Sequence, residues 1–223
     1  MHYDATPLLL SFELAAVTTV LLLLIGVPLA YWLAYSRNRL QPLAEALVAM
    51  PLVLPPTVLG FYLLLAFGYG SPVWDFLDRH FGVHLVFTFE GLVVASLIAS
   101  LPFMVHPLQS GFRAVPRELV EASYTMGKSP LTTLLRILLP NMKPALLTGA
   151  VLTFAHVIGE FGVVLMIGGS IPGVTRVASI AIYDEVQALD YATANLHALI
   201  LFAVTFVILL VIYMTNRRHF RPL

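Results

Sequence analysis

The sequence contains no cysteine and few charged side chains. Of its 223 residues, 11% are Asp, Glu, Lys or Arg and 59% are hydrophobic, and the mean hydropathy is +0.90. The absence of cysteine excludes disulfides, thiolate metal sites and cysteine nucleophiles. Soluble domains carry about a quarter charged residues, so this composition is typical of an integral membrane protein. The formal net charge is zero, and nucleic acid is not an expected partner.

Long uncharged stretches predict the membrane spans. A helix needs about 20 apolar residues to cross the hydrocarbon core, and five stretches reach this length if Glu160 is allowed inside one of them. The predicted fold is therefore an all-α integral membrane protein with a single domain, residues 1–223. The predicted spans are approximately 12–35, 46–68, 91–111, 144–168 and 194–215. The first is expected to be retained, because Met-His-Tyr-Asp at the N-terminus is not a basic signal region.

The distribution of positive charge predicts the orientation. Ten of the twelve basic residues fall on one side of the predicted spans, and only Arg79 and Arg176 fall on the other. The ten are Arg37, Arg39, Arg113, Arg117, Lys128, Arg136, Lys143, Arg217, Arg218 and Arg221. Loops rich in Lys and Arg stay in the cytoplasm, so the N-terminus should face out and the C-terminus in.

Two outer segments are too short to span. Val174–Tyr183 is apolar and is expected to form an interfacial helix or a re-entrant piece packed against other helices. The stretch 81–89 is expected to be an external loop.

The longest cytoplasmic connection, residues 113–143, contains residues that are typical of the starts and ends of two short helices. Pro116 suits a first helical position, and Gly127 suits the left-handed residue that closes a helix. Ser129 suits the N-cap of a second helix. That helix is expected to end at Leu139, because the proline that follows blocks its continuation.

The same connection, here called the coupling loop, resembles the EAA loop of binding-protein-dependent ABC import permeases. The pattern is Glu-Ala-Ser-x-x-x-Gly, nine residues, then Ile-x-Leu-Pro. Its anchors are Glu121, Ala122, Ser123, Gly127, Ile137, Leu139 and Pro140. Ser123 stands where the family usually has alanine. In the family this loop forms a coupling helix that sits in a groove of an ATPase subunit, so the resemblance implies that these residues dock the ATPase. The alternative is an amphipathic surface loop.

The resemblance also implies the composition of the transporter. Two copies of the chain would form a homodimer with two copies of an ABC ATPase subunit, within the lipid of a bacterial cytoplasmic (inner) membrane. An external, periplasmic binding protein would deliver the transported substrate, an oxyanion. We expect no catalytic residues, metal site or bound cofactor in this chain, because the partner ATPase would use ATP and Mg²⁺. Gly127-Lys128-Ser129 imitates a phosphate-binding loop, but that motif requires glycine where Ala122 stands.

Two further stretches are similar to the molybdate permease branch of that family. They are residues 50–60, Met-Pro-Leu-Val-Leu-Pro-Pro-Thr-Val-Leu-Gly, and residues 159–173, which begin Gly-Glu-Phe-Gly. The resemblance implies import of molybdate, with tungstate as a close analogue. Sulfate/thiosulfate permeases are the nearest alternative, because they share the EAA loop.

The first of these stretches contains candidate pathway residues. Pro55 and Pro56 lie about 15 Å into the second predicted span, near the bilayer midplane. Paired prolines interrupt a helix there, and the freed carbonyls need protein or water beside them. Pro55, Pro56 and Thr57 are therefore expected either to line the pathway or to form a structural kink without substrate contact.

The second stretch contains Glu160, the only acidic residue deep within a predicted span. A carboxylate at the bilayer centre costs roughly 3 kcal/mol on insertion scales, so it should face the bundle interior. With Phe161 and Gly162, it is expected to form a gate or helix break that satisfies freed backbone donors, or to be a hydrogen-bonded packing residue. His156 is expected to be an ordinary buried histidine, because the pair lacks the two-histidine spacing of a metal site.

Two other functions remain open at this point. A proton-coupled carrier would use Glu160 and His156 but would leave the patterned coupling loop without a purpose. A membrane hydrolase would need a nucleophile–base set or a metal cluster, and the predicted spans offer only the same pair.

Overall fold

The computed structural model describes residues 4–36 and 38–217, where helices are the only regular secondary structure. The helices are α1 Thr6–Tyr35, α2 Gln41–Val53, α3 Pro56–Phe67, α4 Pro72–Phe81, α5 Phe89–Ala114, α6 Arg117–Thr125, α7 Pro130–Thr133, α8 Leu139–Asn141, α9 Lys143–Gly159, α10 Gly162–Gly168, α11 Ala178–Gln187 and α12 Tyr191–Arg217. A π-helical turn, Leu134–Leu138, joins α7 to α8. Residues used above that lie outside the described part are Met1, His2, Tyr3, Arg37, Arg218 and Arg221.

The centre of the molecule is the three-helix contact between α1, α5 and α9. Small residues let these helices approach closely, as is usual between membrane helices. A Cβ on Gly26 of α1 would lie 2.9 Å from Met104 Cγ, and one on Gly149 of α9 would lie 3.0 Å from Met104 Sδ. Met104 is fully buried between them. Against this centre, α3 and α10 pack on each other and on α5.

Three helices in the described part are long and apolar enough to cross a membrane: α1, α5 and Tyr191–Leu210 of α12. Two bent pairs qualify only when their halves are combined. α2 with α3 is bent by 115°, and Pro130–Asn141 with α9 is bent by 78°. Residues 4–36 and 38–217 therefore contain three candidate spans, or up to five if each bent pair is one span. The predicted all-α membrane fold is confirmed.

Two of the predicted spans are not continuous helices. Residues 46–68 break between Val53 and Pro56, where two successive prolines cannot donate backbone hydrogen bonds. Residues 144–168 break at Glu160 and Phe161, between α9 and α10. Hydropathy alone does not register either break, because the apolar composition continues through both.

Helix starts also differ from the hydropathy limits, because polar side chains outside the apolar stretches accept hydrogen bonds from N–H groups in the first turns of α1, α4 and α12. α1 begins before residue 12, where Asp4 Oδ1 accepts the Thr6 N–H at 2.9 Å. α12 begins before residue 194, where Asp190 Oδ1 accepts the Thr193 N–H at 3.1 Å. The unpredicted helix α4 is capped by the Ser71 side chain.

The short segment Val174–Tyr183 is helical only in its second half. A turn occupies its start, where Thr175 Oγ1 donates to the Gly168 carbonyl at 2.7 Å. The helix α11 begins at Ala178, whose N–H donates to Ser11 Oγ of α1 at 2.8 Å. α11 also contacts α9 and α12, so it is packed against the bundle.

Candidate functional site: the coupling loop and two helix breaks

The first half of the coupling loop closes at a left-handed glycine, as the sequence predicts. Gly127 has φ +71°. Its N–H donates to the Tyr124 carbonyl at 2.9 Å, and the Lys128 N–H donates to the Ser123 carbonyl at 3.1 Å. These two bonds form a Schellman closure that satisfies the last carbonyls of α6. Pro116 is the N-cap of α6 and not its first helical residue.

Two buried hydroxyls join α6 to α7. The oxygens of Ser123 and Thr133 are 2.8 Å apart, and both residues are buried. Thr133 already donates its single hydroxyl proton to the Ser129 carbonyl at 3.0 Å, so Ser123 is the donor in the pair. Serine at this position therefore has a structural role that the family's usual alanine would lack.

The second helix of the coupling loop does not end at Leu139, contrary to the prediction. It passes through the π-helical turn and continues to Asn141. In a regular α-helix the Pro140 ring would strike the carbonyl four residues earlier. The wider π turn avoids this, with the Leu139 N–H bonded to the Leu134 carbonyl five residues back.

The outer surface of the coupling loop combines two exposed acidic residues, Glu118 and Glu121, with exposed basic and apolar side chains. Glu121 is exposed, and its carboxylate forms no ion pair or hydrogen bond with any described residue. The exposed large apolar side chains are Leu119, Tyr124, Met126, Leu131 and Leu135. Among the other anchors, Ala122 and Pro140 are exposed, and Ile137 and Leu139 are half-buried.

The coupling loop also contacts the nearby ends of α1 and α5. The Tyr31 hydroxyl of α1 faces that of Tyr124 in α6. The Tyr31 ring packs edge-on against Phe112 of α5, with centroids 5.6 Å apart, and the Tyr35 hydroxyl donates to the Phe112 carbonyl at 2.8 Å. A displacement of α6 would therefore reach α1 directly and α5 through the two tyrosines of α1.

The two helix breaks lie against each other. A Cβ on the buried Gly162 would lie 2.8 Å from Pro56 Cβ and 3.1 Å from the Thr57 nitrogen. The contact continues along α3 and α10, where a Cβ on Gly60 would lie 2.8 Å from Met166 Cβ. The structure thus brings together the pathway candidates of both stretches, which are far apart in the sequence.

Glu160 turns its side chain inward at the second break and is 6% exposed. Its Oε1 accepts the Val163 N–H at 3.0 Å, a first-turn donor that α10 cannot satisfy internally. Its Oε2 lies 3.6 Å from His156 Nε2, and its backbone carbonyl accepts the Ser179 hydroxyl at 2.8 Å. The carboxylate therefore caps α10.

The break between α2 and α3 is exposed, whereas Glu160 at the other break is buried. Pro55, Pro56 and Thr57 are all exposed, and the neighbouring Val53 is 82% exposed. One side of this break packs on Gly162, and the other side is open.

Other helices contribute contacts to this site that the sequence did not reveal. Ser100 of α5 lies 3.0 Å from His156 Nδ1, and Ser179 belongs to α11. No local pattern marks either serine, because each meets its partner only after the helices have packed. Within residues 4–36 and 38–217, no group of three His, Asp or Glu side chains could hold a metal ion.

Known proteins resemble this chain over nearly its whole length. Residues 26–221 match the family model of the binding-protein-dependent transport system inner membrane component. The molybdenum transport system permease protein ModB of Azotobacter vinelandii is 46% identical over 97% of this chain and 96% of its own length. A protein of Zygnema circumcarinatum described as "Probable sulfate transport system permease protein cysT" is 32% identical over 91% of this chain and 70% of its own length.

A solved structure shares the fold. A chain of the MetNI methionine ABC transporter superposes with a TM-score of 0.72 at 18% identity, covering 96% of this chain and 95% of that one. At this identity the likeness concerns the fold alone. Together with the apolar helices, the family match shows that the chain belongs to the binding-protein-dependent transport system inner membrane components, the multi-pass cytoplasmic-membrane subunits of ABC importers that work with an ATPase and a substrate-binding protein.

Proposed function

We propose that this chain is the permease subunit of a molybdate importer that also accepts tungstate, its close analogue. The observation that supports molybdate as the substrate is the 46% identity to a molybdenum permease over nearly all of both chains. The sulfate relative is less similar, at 32%. The stretches that resemble the molybdate branch, residues 50–60 and 159–173, include the two breaks that meet in the fold.

The open side of the α2–α3 break supports a homodimer. Irregular backbone at membrane depth is tolerated only beside protein or water, not lipid. A second copy related by a two-fold axis would place protein and a water-filled pathway beside Pro55 and Thr57. α12 differs, because it is an uninterrupted helix with exposed apolar side chains and is suited to lipid. Two copies of the chain would then bind two ATPase subunits.

The surface of the coupling loop supports its role as the docking site of the ATPase. The Glu121 carboxylate, which has no partner among the residues that the structure describes, can pair with a basic groove, and exposed Met126 and Leu131 can bury apolar area there. The chain lacks a complete phosphate-binding loop, because Ala122 replaces the required glycine. ATP would therefore be hydrolysed by the separate ATPase chain.

The connections between elements suggest how docking drives transport. α8 leads into α9 with only Met142 between them, and α9 ends at the Glu160 break, where α10 packs on α3. ATP-driven closure of the ATPase subunits would push the coupling loops and move α9. The paired breaks would follow, opening the pathway alternately to each side.

Uptake by proteoliposomes containing this chain, its ATPase and its binding protein tests the proposed function. We expect ATP-dependent accumulation of labelled molybdate that tungstate inhibits and sulfate does not. Uptake of sulfate without molybdate would overturn the substrate and leave the architecture intact. Uptake driven by a pH gradient without the ATPase would instead identify a proton-coupled carrier that uses Glu160 and His156.

A cysteine introduced at Thr57 tests whether this break lines the pathway. Because the chain has no cysteine, the introduced thiol is the only one in this subunit, and labelling is read from this subunit after it is separated from its partners. We expect Thr57→Cys in the assembled transporter to react with a membrane-impermeant thiol reagent about tenfold faster than Leu199→Cys, since thiolate forms in water and not in lipid. Leu199 of α12 is the matched control, because it is 56% exposed on the helix assigned to lipid. Slow labelling at Thr57, with normal uptake by Thr57→Val, would make the break a structural kink.

A further inference from the structure

His156 is held on three sides near the end of α9. Its Nδ1 lies 3.0 Å from Ser100 Oγ of α5, and its Nε2 lies 3.6 Å from Glu160 Oε2. Its ring stacks on Phe103 of α5, with centroids 4.0 Å apart. Ser100 and Glu160 are both buried, and the His156 side chain between them is 24% exposed. We call Ser100, His156 and Glu160 the break cluster.

The hydrogen-bonding capacities of the break cluster are complementary. Glu160 Oε1 is occupied by the Val163 N–H, which leaves Oε2 to face the imidazole. A neutral His156 with its proton on Nε2 directs that proton at Oε2 and accepts the Ser100 hydroxyl at Nδ1. Ser100 and Nδ1 are then hydrogen-bonded at 3.0 Å, and the Nε2 proton faces Oε2 at 3.6 Å, an electrostatic contact longer than a hydrogen bond.

The location of the break cluster connects it to movement. α9 leads from the coupling loop to the break, and the backbone at Phe161 departs from helical geometry with φ −125°. An unsupported break would bend when α9 moves and leave α10 behind. The break cluster ties this point to α5 through Ser100, and the Glu160 carboxylate ties it to the first turn of α10.

We propose that Ser100 and His156 are positioning residues that hold the Glu160 carboxylate at the start of α10. Through this contact a movement of α9 also moves α10 and, by way of Gly162, the α2–α3 break. The proposal rests on the transport function proposed above. Weakening the break cluster leaves the coupling loop and the ATPase contact intact, so ATP hydrolysis continues while less molybdate crosses per ATP.

Two serines one helical turn apart on α5 provide a matched test. Ser96 and Ser100 are 0% and 1% exposed, but the Ser96 hydroxyl has no hydrogen-bond partner in the described part of the chain. We expect Ser100→Ala to lower the molybdate taken up per ATP hydrolysed about threefold, the effect of losing one buried hydrogen bond. Ser96→Ala should leave this ratio unchanged.

A double-variant cycle tests whether His156 acts through Glu160. His156→Phe keeps a ring against Phe103 and removes both nitrogens, and Glu160→Gln keeps an acceptor for Val163 and removes the charge. Each is expected to lower the ratio about tenfold, and the double variant should be no worse than the poorer single one, because both changes remove one interaction. Losses that multiply in the double variant, or an unchanged ratio in His156→Phe, would overturn the proposal.

Recovery of the assembled transporter separates failure of folding from loss of coupling. If His156→Phe does not assemble, the comparison of Ser100→Ala with Ser96→Ala decides whether the positioning role holds. A wild-type transporter that takes up no molybdate refutes the proposed function. Normal wild-type uptake with equal ratios in the two serine variants refutes the positioning role alone.

Discussion

Glu121→Lys should lower the amount of ATPase that co-purifies with the membrane subunit about tenfold or more, because a reversed charge would oppose the proposed pairing of this side chain with the ATPase. The substitution alters an exposed side chain without partners among the described residues, so the fold of α6 should persist. The measurement is the ATPase recovered per membrane subunit after affinity purification, followed by molybdate uptake in proteoliposomes.

Glu90→Lys is the charge-matched control for this substitution. Glu90 is also exposed and lies in the first turn of α5, whereas the coupling loop follows the last turn of that helix. Its reversal should leave recovery of the ATPase unchanged. Full recovery and full transport by Glu121→Lys would show that this residue is not part of the docking surface.

Gly162→Ala is expected to reduce molybdate uptake at least about tenfold and to destabilise the subunit by roughly 1–3 kcal/mol, the usual cost of overpacking. The added methyl would lie 2.8 Å from Pro56 Cβ and 3.1 Å from the Thr57 nitrogen. A proline ring and a backbone atom cannot rotate away as a flexible side chain can. α3 and α10 would therefore have to separate at the paired breaks.

Gly159→Ala is the matched control, because it lies beside the same break and a Cβ there would meet nothing within 4 Å. Alanine is favoured over glycine in a helix by roughly 0.5–1 kcal/mol, so this variant should be at least as stable as the wild type. Thermal unfolding in detergent and uptake in proteoliposomes measure both effects. Equal behaviour of the two variants would contradict a functional role for the close contact between the breaks.

The coupling loop shows what local sequence can determine. The glycine that closes α6 and the N-cap Ser129 were predictable, because each acts on backbone groups within a few residues of itself. The predicted end of the second helix at Leu139 was wrong, because the helix continues to Asn141. Proline is excluded from a regular α-helix, but a widened π turn accommodates it here, and the local residue pattern does not distinguish that turn from a helix end.

The helix breaks show what local sequence cannot determine. Pro55 and Pro56 predict an interruption, because proline lacks the N–H that a helix needs. Whether the break faces lipid, water or another helix depends on Gly162, which is distant in the chain and meets Pro56 only after α10 packs on α3. For the same reason, Ser100 and Ser179 had no signal as partners of His156 and Glu160.

By itself, the sequence determined the membrane class, the all-α fold and the resemblance to ABC import permeases. Composition, span length and short-range motifs act along the chain, and each can be recognised without knowledge of tertiary contacts. Only the tertiary structure decided that two interrupted helices meet, that Glu160 caps α10 and that α11 packs on the bundle. These features depend on close approach between distant segments, and the small residues that permit it carry no information about which partner they will meet.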